Sequence, residues 1–89
     1  MREIVLDTET TGLSPQNGDR VVEIGCVELI NHIATGKTYQ TYLNPQKLME
    51  PSAEEVHGLS NDFLKDQPLF EEIFRDFLDF ISDSPLIIH

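Results

Sequence analysis

The sequence predicts one small α/β domain in which an antiparallel three-stranded meander is followed by a helix and by the opening of a parallel fourth strand. Two observations carry this prediction. Segments rich in β-branched residues, Thr and Tyr lie in the first half of the chain, and a segment with helical apolar spacing lies in the second half. The chain has 89 residues, 39% of them hydrophobic, which is enough for one core only.

Turn-forming residues separate the predicted strands. The first strand spans residues 3–7 and leads into the Thr/Gly/Ser/Pro-rich stretch 10–18, which we expect to be a loop. The second strand covers residues 20–30. Residues 31–36 are predicted to turn the chain back into a third strand over residues 37–43.

The pattern then becomes helical. Short helices are predicted over residues 52–57 and 60–65, with Gly58 placed to end the first of them. A longer helix is predicted to start at Pro68, in its first turn, and to stop at residues 82–85. Residues 86–88 are predicted to open a buried parallel strand. The apolar face of the long helix comprises Phe70, Ile73, Phe74, Phe77, Leu78 and Ile81.

Charge and cysteine content restrict the functions that are open to the chain. Sixteen acidic and six basic residues give a formal net charge of −10, the reverse of a surface that holds DNA by phosphate contacts alone. A nucleic-acid substrate would therefore need divalent cations or a basic partner.

The single cysteine, Cys26, is predicted to be a buried thiol. Because no apolar run approaches the ~20 residues that cross a bilayer, we expect a soluble, cytoplasmic protein.

Asp7 and Glu9 form the most informative pair of side chains. They are two residues apart at the end of a predicted strand, so both leave the face that carries Val5. At a separation of ~6 Å and an effective dielectric constant of ~20 they repel by roughly 3 kcal/mol, and a divalent cation would turn this into attraction. Hard oxygen ligands favour magnesium or manganese over zinc. The alternative interpretation is a solvated strand end.

Three segments resemble one known family. Residues 4–13, Ile-Val-Leu-Asp-Thr-Glu-Thr-Thr-Gly-Leu, resemble the first motif of the DnaQ-like (DEDD) 3′–5′ exonucleases, and residues 20–28 resemble the second strand of these enzymes. Residues 56–68 are similar to the stretch after the third strand in the bacterial epsilon subunits of DNA polymerase III. The resemblance implies a ribonuclease H-like fold, with residues 1–89 as the N-terminal part of a single exonuclease domain.

The resemblance also implies site residues. Asp7 and Glu9 would be catalytic and would bind two magnesium or manganese ions. The family's second motif begins His-Asn, and only its leading His89 is present, so we expect no more than trace nuclease activity from this chain alone. The residues implied to lie at the substrate, besides the two acids, are Thr10, Gly12, Leu13, Ser52 and His57.

The residues themselves suggest simpler interpretations for part of this set. Without the resemblance, His57 would be a helix-terminal histidine that contacts the last helical carbonyls. Residues 10–13 would likewise be an ordinary loop.

The implied function is proofreading in DNA replication, by removal of a 3′-terminal nucleotide as a monophosphate. The implied partners are a DNA 3′ end and the alpha subunit of DNA polymerase III, with the theta subunit and the sliding clamp as further candidates. Two alternatives stay open: a DnaQ-like RNA exonuclease of the oligoribonuclease or ribonuclease T kind, and a non-catalytic ribonuclease H-like binding module. The segment around His57 favours DNA, and the repelling pair of acids argues against a module that only binds.

Overall fold

A computed structural model of the chain describes residues 1–12, 18–48 and 51–88. Four strands form one mixed sheet in the order β3-β2-β1-β4, and three helices connect β3 to β4. The predicted meander, helix and parallel fourth strand are confirmed. The elements are β1 (Arg2–Thr10), β2 (Val21–Ile30), β3 (Ile33–Tyr42), α1 (Pro51–His57), α2 (Asn61–Leu64), α3 (Phe70–Ile81) and β4 (Leu86–Ile88).

The hairpin between β2 and β3 is tighter than the sequence suggested. Its two connecting residues, Asn31 and His32, both have positive φ, at 51° and 69°. Two successive positive φ angles are typical of the two-residue turns whose twist matches antiparallel strands. The predicted turn over 31–36 is therefore wrong, and β3 starts at Ile33. Gly36, with φ of 91°, lies instead where the β2–β3 register shifts.

One face of the sheet carries the main core. Alternate residues of β1 and β2 point to this face, among them Ile4, which is fully buried, and Cys26, which is 1% exposed. Helix α3 covers it, and the burial predicted for the thiol is confirmed. The core residues Ile4, Ile24, Cys26 and Leu43 pack against the half-buried Leu6, Val21, Tyr39, Ile73, Phe77, Phe80 and Ile81.

Helix α3 begins two residues later than predicted. Its N-cap is Leu69, whose backbone N–H donates to the Glu72 carboxylate at 2.8 Å. Pro68 therefore precedes the N-cap rather than lying in the first turn, because the bond between Leu69 and Glu72 sets the start of the helix at Phe70. The helix ends at Ser82, whose φ is 51° and whose N–H donates to the Leu78 carbonyl oxygen.

Strand β4 pairs in parallel with β1, Leu86 opposite Ile4 and Ile88 opposite Leu6. Its three side chains are 42%, 41% and 68% exposed, so the prediction of a buried strand is wrong. The reason lies in its position, since β4 is an edge strand and nothing among the described residues pairs with its outer side.

A second, smaller cluster places α1 and α2 at one end of the sheet. Val22 and Leu64 are its buried members, and Tyr42, Ala53 and Leu59 pack against them. Gly58 ends α1 as predicted, with φ of 72° and its N–H bonded to the Glu54 carbonyl oxygen. Among the described residues, no helix has the length and apolar character to cross a membrane.

Candidate functional site

Asp7 and Glu9 lie near the C-terminal end of β1, on the face opposite α3. In the antiparallel register Asp7 is opposite Gly25, and Glu9 is opposite Glu23. The three acidic side chains line one small cavity of about 70 Å³, together with Thr8 and Gly25. Alternation along β1 therefore places the two predicted metal ligands side by side, as the spacing indicated.

The same face is open further along the sheet. Asp7 and Val5 border a shallow depression over β2 and β3, and Val27 is 36% exposed within it. Gly25, which is paired with Asp7, also lines this depression, and a Cβ at this position would lie 3.9 Å from the Asp7 carbonyl oxygen. The rest of the lining is supplied by Cys26, Thr38, Tyr39 and Gln40.

Most of the predicted substrate residues lie together at the end of β1. The strand register shifts between Glu9 and Thr10, which indicates a bulge at this point. Beyond the shift a cavity of about 160 Å³ opens between β1 and α1. Leu13, also predicted to contact substrate, lies outside the described residues, as does His89. The cavity is lined by Glu9, Thr10, Gly12, Ser52, Ala53, Val56 and His57.

His57 joins α1 to the end of β1. Its Nδ1 accepts a hydrogen bond from the Leu59 backbone N–H at 3.1 Å, so the other ring nitrogen carries the proton in a neutral ring. That Nε2 lies 3.2 Å from the Thr10 carbonyl oxygen and donates to it. The simpler interpretation, a contact with the last carbonyls of its own helix, is wrong, because the ring points toward β1.

Two polar groups near the site were not singled out from the sequence. Glu23 faces Glu9 across the strand pair, and its carboxylate accepts a hydrogen bond from the Gln40 side chain at 2.9 Å. Only the register between β1 and β2 brings Glu23 to this position. A correct prediction of that register is the signal that could have found it.

Thr11 is the second residue that sequence reasoning passed over. It is fully buried, and its hydroxyl donates to the Asp19 carboxylate at 2.9 Å and accepts from the Arg20 N–H at 3.0 Å. Lys47 pairs with the same carboxylate at 2.9 Å. The network ties the residue after β1 to the residues before β2.

The acidic groups alone do not complete a metal centre. Within the described ranges, no group of three or more His, Cys, Asp or Glu side chains is placed to hold an ion. Asp7 and Glu9 supply hard oxygen ligands of the type that suits magnesium or manganese. Further ligands would have to come from outside this set.

The chain matches an exonuclease family and a group of replication proteins. The family model described as "Exonuclease" matches residues 4–89. The sequence is 57% identical over 89 residues to DNA polymerase III subunit epsilon of Rickettsia prowazekii (strain Madrid E), covering 100% of this chain and 39% of that protein. It is 44% identical over 92 residues to the subunit of the same name from Escherichia coli (strain K12), covering 99% and 38%. The chain thus spans about two fifths of the length of these curated relatives.

Solved structures share its architecture. Exonuclease X in complex with 5′ overhanging duplex DNA superposes with a TM-score of 0.82 at 22% identity, over 98% of this chain and 48% of that one. The nuclease domain of 3′hExo, a DEDDh family member bound to rAMP, superposes with a TM-score of 0.77 at 17% identity, over 98% and 50%. These likenesses support the ribonuclease H-like fold. Since the family model covers nearly all of its residues, this chain belongs to the exonuclease family.

Proposed function

We propose that residues 1–89 form the N-terminal part of a single exonuclease domain that removes 3′-terminal nucleotides from DNA during replication. One observation carries the proposal. Glu9 lines both the small acidic cavity that contains Asp7 and the larger cavity between β1 and α1. An ion held by the two acids would therefore lie next to a space bordered by the residues implied to contact substrate.

Asp7 and Glu9 are the proposed catalytic ligands of two magnesium or manganese ions. When bound, such ions lower the pKa of an attacking water and neutralise the charge that develops on the phosphoryl and leaving oxygens. The exposed Asp7 and the half-buried Glu9 share one side of β1, so both would be able to hold a cation that in turn attracts a phosphate. Any additional ligands and a general base would have to come from outside the described residues.

The residues around the larger cavity would hold the terminal nucleotide. Thr10 and Gly12 would offer backbone groups, with the Thr10 hydroxyl already bonded to the Gly12 carbonyl oxygen at 2.6 Å. Ser52 and His57 approach from α1, and Leu13 is proposed to add an apolar contact. His57 holds the Thr10 carbonyl, so it would also keep the chain after Glu9 in place.

The partners follow from the charge and from the relatives. A net charge of −10 opposes binding to a long DNA duplex, so a polymerase that holds the duplex would leave this domain only the frayed 3′ end. The relatives are named as subunits of DNA polymerase III, which supports its alpha subunit as the main partner. The theta subunit, the sliding clamp and a cytoplasmic location complete the proposal.

A chimaera tests the proposed activity. Residues 1–89 replace the aligned stretch of the Rickettsia prowazekii subunit, and 3′ degradation of single-stranded DNA and of short RNA is followed in magnesium. We expect degradation of DNA, and losses of at least about a hundredfold in the Asp7→Asn and Glu9→Gln variants, because each removes a ligand of the ions that stabilise the transition state.

The control for these variants is Glu3→Gln, which removes a carboxylate from the same side of β1 at its other end and should leave the rate unchanged. The 89-residue chain alone should show no more than trace activity. A folded chimaera that leaves DNA intact would overturn the proposal, and preferential degradation of RNA would favour the RNA exonuclease instead.

A further inference from the structure

Arg2, the first residue of β1, makes hydrogen bonds to the end of α3 and to the turn that leads into β4. Its Nη2 donates to the Phe80 carbonyl oxygen at 2.6 Å. Its Nη1 donates to the Ile81 carbonyl oxygen at 3.1 Å and to Ser84 Oγ at 2.8 Å. The guanidinium also lies 5.4 Å from the centroid of the Phe80 ring. The charge of Arg2 thus meets the last carbonyls and the negative end of the α3 dipole.

The other side of Arg2 is anchored in the meander. Its Nε donates to one carboxylate oxygen of Glu28, a β2 residue that is 7% exposed. The second oxygen of Glu28 accepts from Thr35 Oγ1 of β3 at 2.7 Å. The line Thr35–Glu28–Arg2, which we call the Arg2 clamp, therefore connects β3, β2 and β1 to the segment just before β4.

Among the described residues, strand β4 makes few other contacts that would fix its position. Three of its residues in this part of the chain pair with β1, beginning where the Ile4 N–H donates to the Pro85 carbonyl oxygen at 3.0 Å. Each of its side chains is at least 41% exposed, so apolar burial specifies its register weakly. The clamp bonds to Phe80, Ile81 and Ser84, which are the last residues of α3 and the turn before this pairing begins.

We propose that Arg2 is a positioning residue that sets the register of β4 on β1, and hence where the end of β4 lies relative to Asp7. Ile88 lies opposite Leu6, the residue before Asp7. A slip of one residue would shift β4 by ~3.3 Å and exchange its two faces. This displacement exceeds the ~2.0–2.1 Å length of a magnesium–oxygen bond, so a slip would change which groups can reach an ion held by Asp7. The catalytic consequence rests on the proposed function, whereas the register does not.

The geometry requires the guanidinium fork and not merely a positive charge. Four acceptors surround it: the Glu28 carboxylate, two backbone carbonyls and the Ser84 hydroxyl. A lysine ammonium has three donors at a single point and cannot reach all four. Arg2→Lys therefore separates a role of charge from a role of position.

Amide hydrogen exchange on the 89-residue chain tests how firmly β4 is held in its pairing with β1. The Ile4 amide reports β1–β4 pairing, and the Leu43 amide, which donates to the Val22 carbonyl oxygen at 2.7 Å, reports the rest of the fold. In Arg2→Met and Arg2→Lys we expect Ile4 to exchange about tenfold faster or more while Leu43 changes by less than about twofold, because only local opening is promoted. The control Ile73→Val, which loosens α3 packing without touching the clamp, should affect both amides alike.

Ser84→Ala keeps the test decisive if the Arg2 variants do not fold, since it removes one contact of the clamp. We expect the same selective effect at Ile4 at a smaller size. Equal acceleration of both amides in these variants, or full protection of Ile4 restored by lysine, would overturn the proposal.

The chimaera described above then separates register from chemistry. With Arg2→Lys we expect kcat to fall on the order of a hundredfold and KM to change by less than about threefold, because misplaced catalytic groups slow chemistry more than binding. An equal loss in the Ile73→Val chimaera would overturn the positioning role. If the parent chimaera itself lacks activity, the proposed function fails while the exchange result still decides the register.

Discussion

The two faces of the sheet are built from the same strands and have opposite characters. On the face under α3, Ile4, Ile24 and Cys26 are each no more than 4% exposed. On the other face, Val5 and Val27 stay partly exposed beside the acidic Asp7 and Glu9. Consecutive residues of one strand thus serve packing and the candidate site in turn.

The contrast shows that charge repulsion on one face coexists with apolar packing on the other. Two carboxylates on one side of a strand repel each other, and a third, Glu23, lies opposite. The covered face supplies the apolar burial that keeps β1 and β2 in register. The fold therefore tolerates the unfavourable charges on one face because the packing on the other face offsets them.

The free energy of unfolding should fall most for a substitution on the face that α3 covers. Ile4→Ala should lower the free energy of unfolding by about 3 kcal/mol, because it leaves a cavity in the core beside α3. Val5→Ala, one residue later on the open face, should cost about 1 kcal/mol or less. Urea unfolding of the two variants measures both values. Similar losses would show that the open face is packed as well.

Manganese should stabilise the chain by binding to the acidic site on the open face. At ten times its dissociation constant, the ion should stabilise the chain by about 1.4 kcal/mol if it binds only the folded state. Thermal unfolding with and without manganese measures this gain. Asp7→Asn and Glu9→Gln should abolish it, whereas Glu3→Gln should not. A gain that survives both site variants would place the ion elsewhere.

The change in stability should be smallest at Glu28, a buried residue on the face that α3 covers. Hydrogen bonds from Arg2, and then from Thr35, lower the pKa of Glu28. Because the folded pKa lies below that of the unfolded chain, this contribution to stability is present above about pH 4.3. It is lost as the pH falls through the folded value.

Glu28→Gln tests this linkage. The variant should be less stable than the parent at neutral pH, and the difference should shrink below about pH 4, where the parent loses the same contribution. Urea unfolding across this range measures it, with Glu55→Gln on α1 as the control. A difference that stays constant with pH would contradict the assignment.

Part of this architecture could be predicted from local patterns. The apolar periodicity identified α3, Gly58 marked the end of α1, and alternation placed Asp7 and Glu9 together. The β2–β3 turn was misplaced because Gly36 is a stronger turn signal than Asn31-His32, yet it lies at a register shift. A shift of this kind depends on the partner strand, which a single segment does not reveal.

The candidate site likewise contains residues that the sequence could indicate and residues that it could not. The resemblance selected Thr10, Gly12, Ser52 and His57, and the structure groups them around one cavity with Glu9. Their roles toward a substrate remain predictions. Glu23 and the Thr11–Asp19 network escaped sequence reasoning, because each depends on a contact between segments that are separated along the chain.

The order of strands and helices along the chain, the side of β1 on which the acids lie, and the family could all be predicted from local patterns and motifs. These depend on periodicity and on short motifs, which are properties of neighbouring residues. Local patterns did not reveal that His57 bonds to Thr10, that Glu23 is opposite Glu9, or that Arg2 binds the turn before β4. Those contacts join residues 14 to 82 positions apart, and packing of distant segments, not local preference, brings them together.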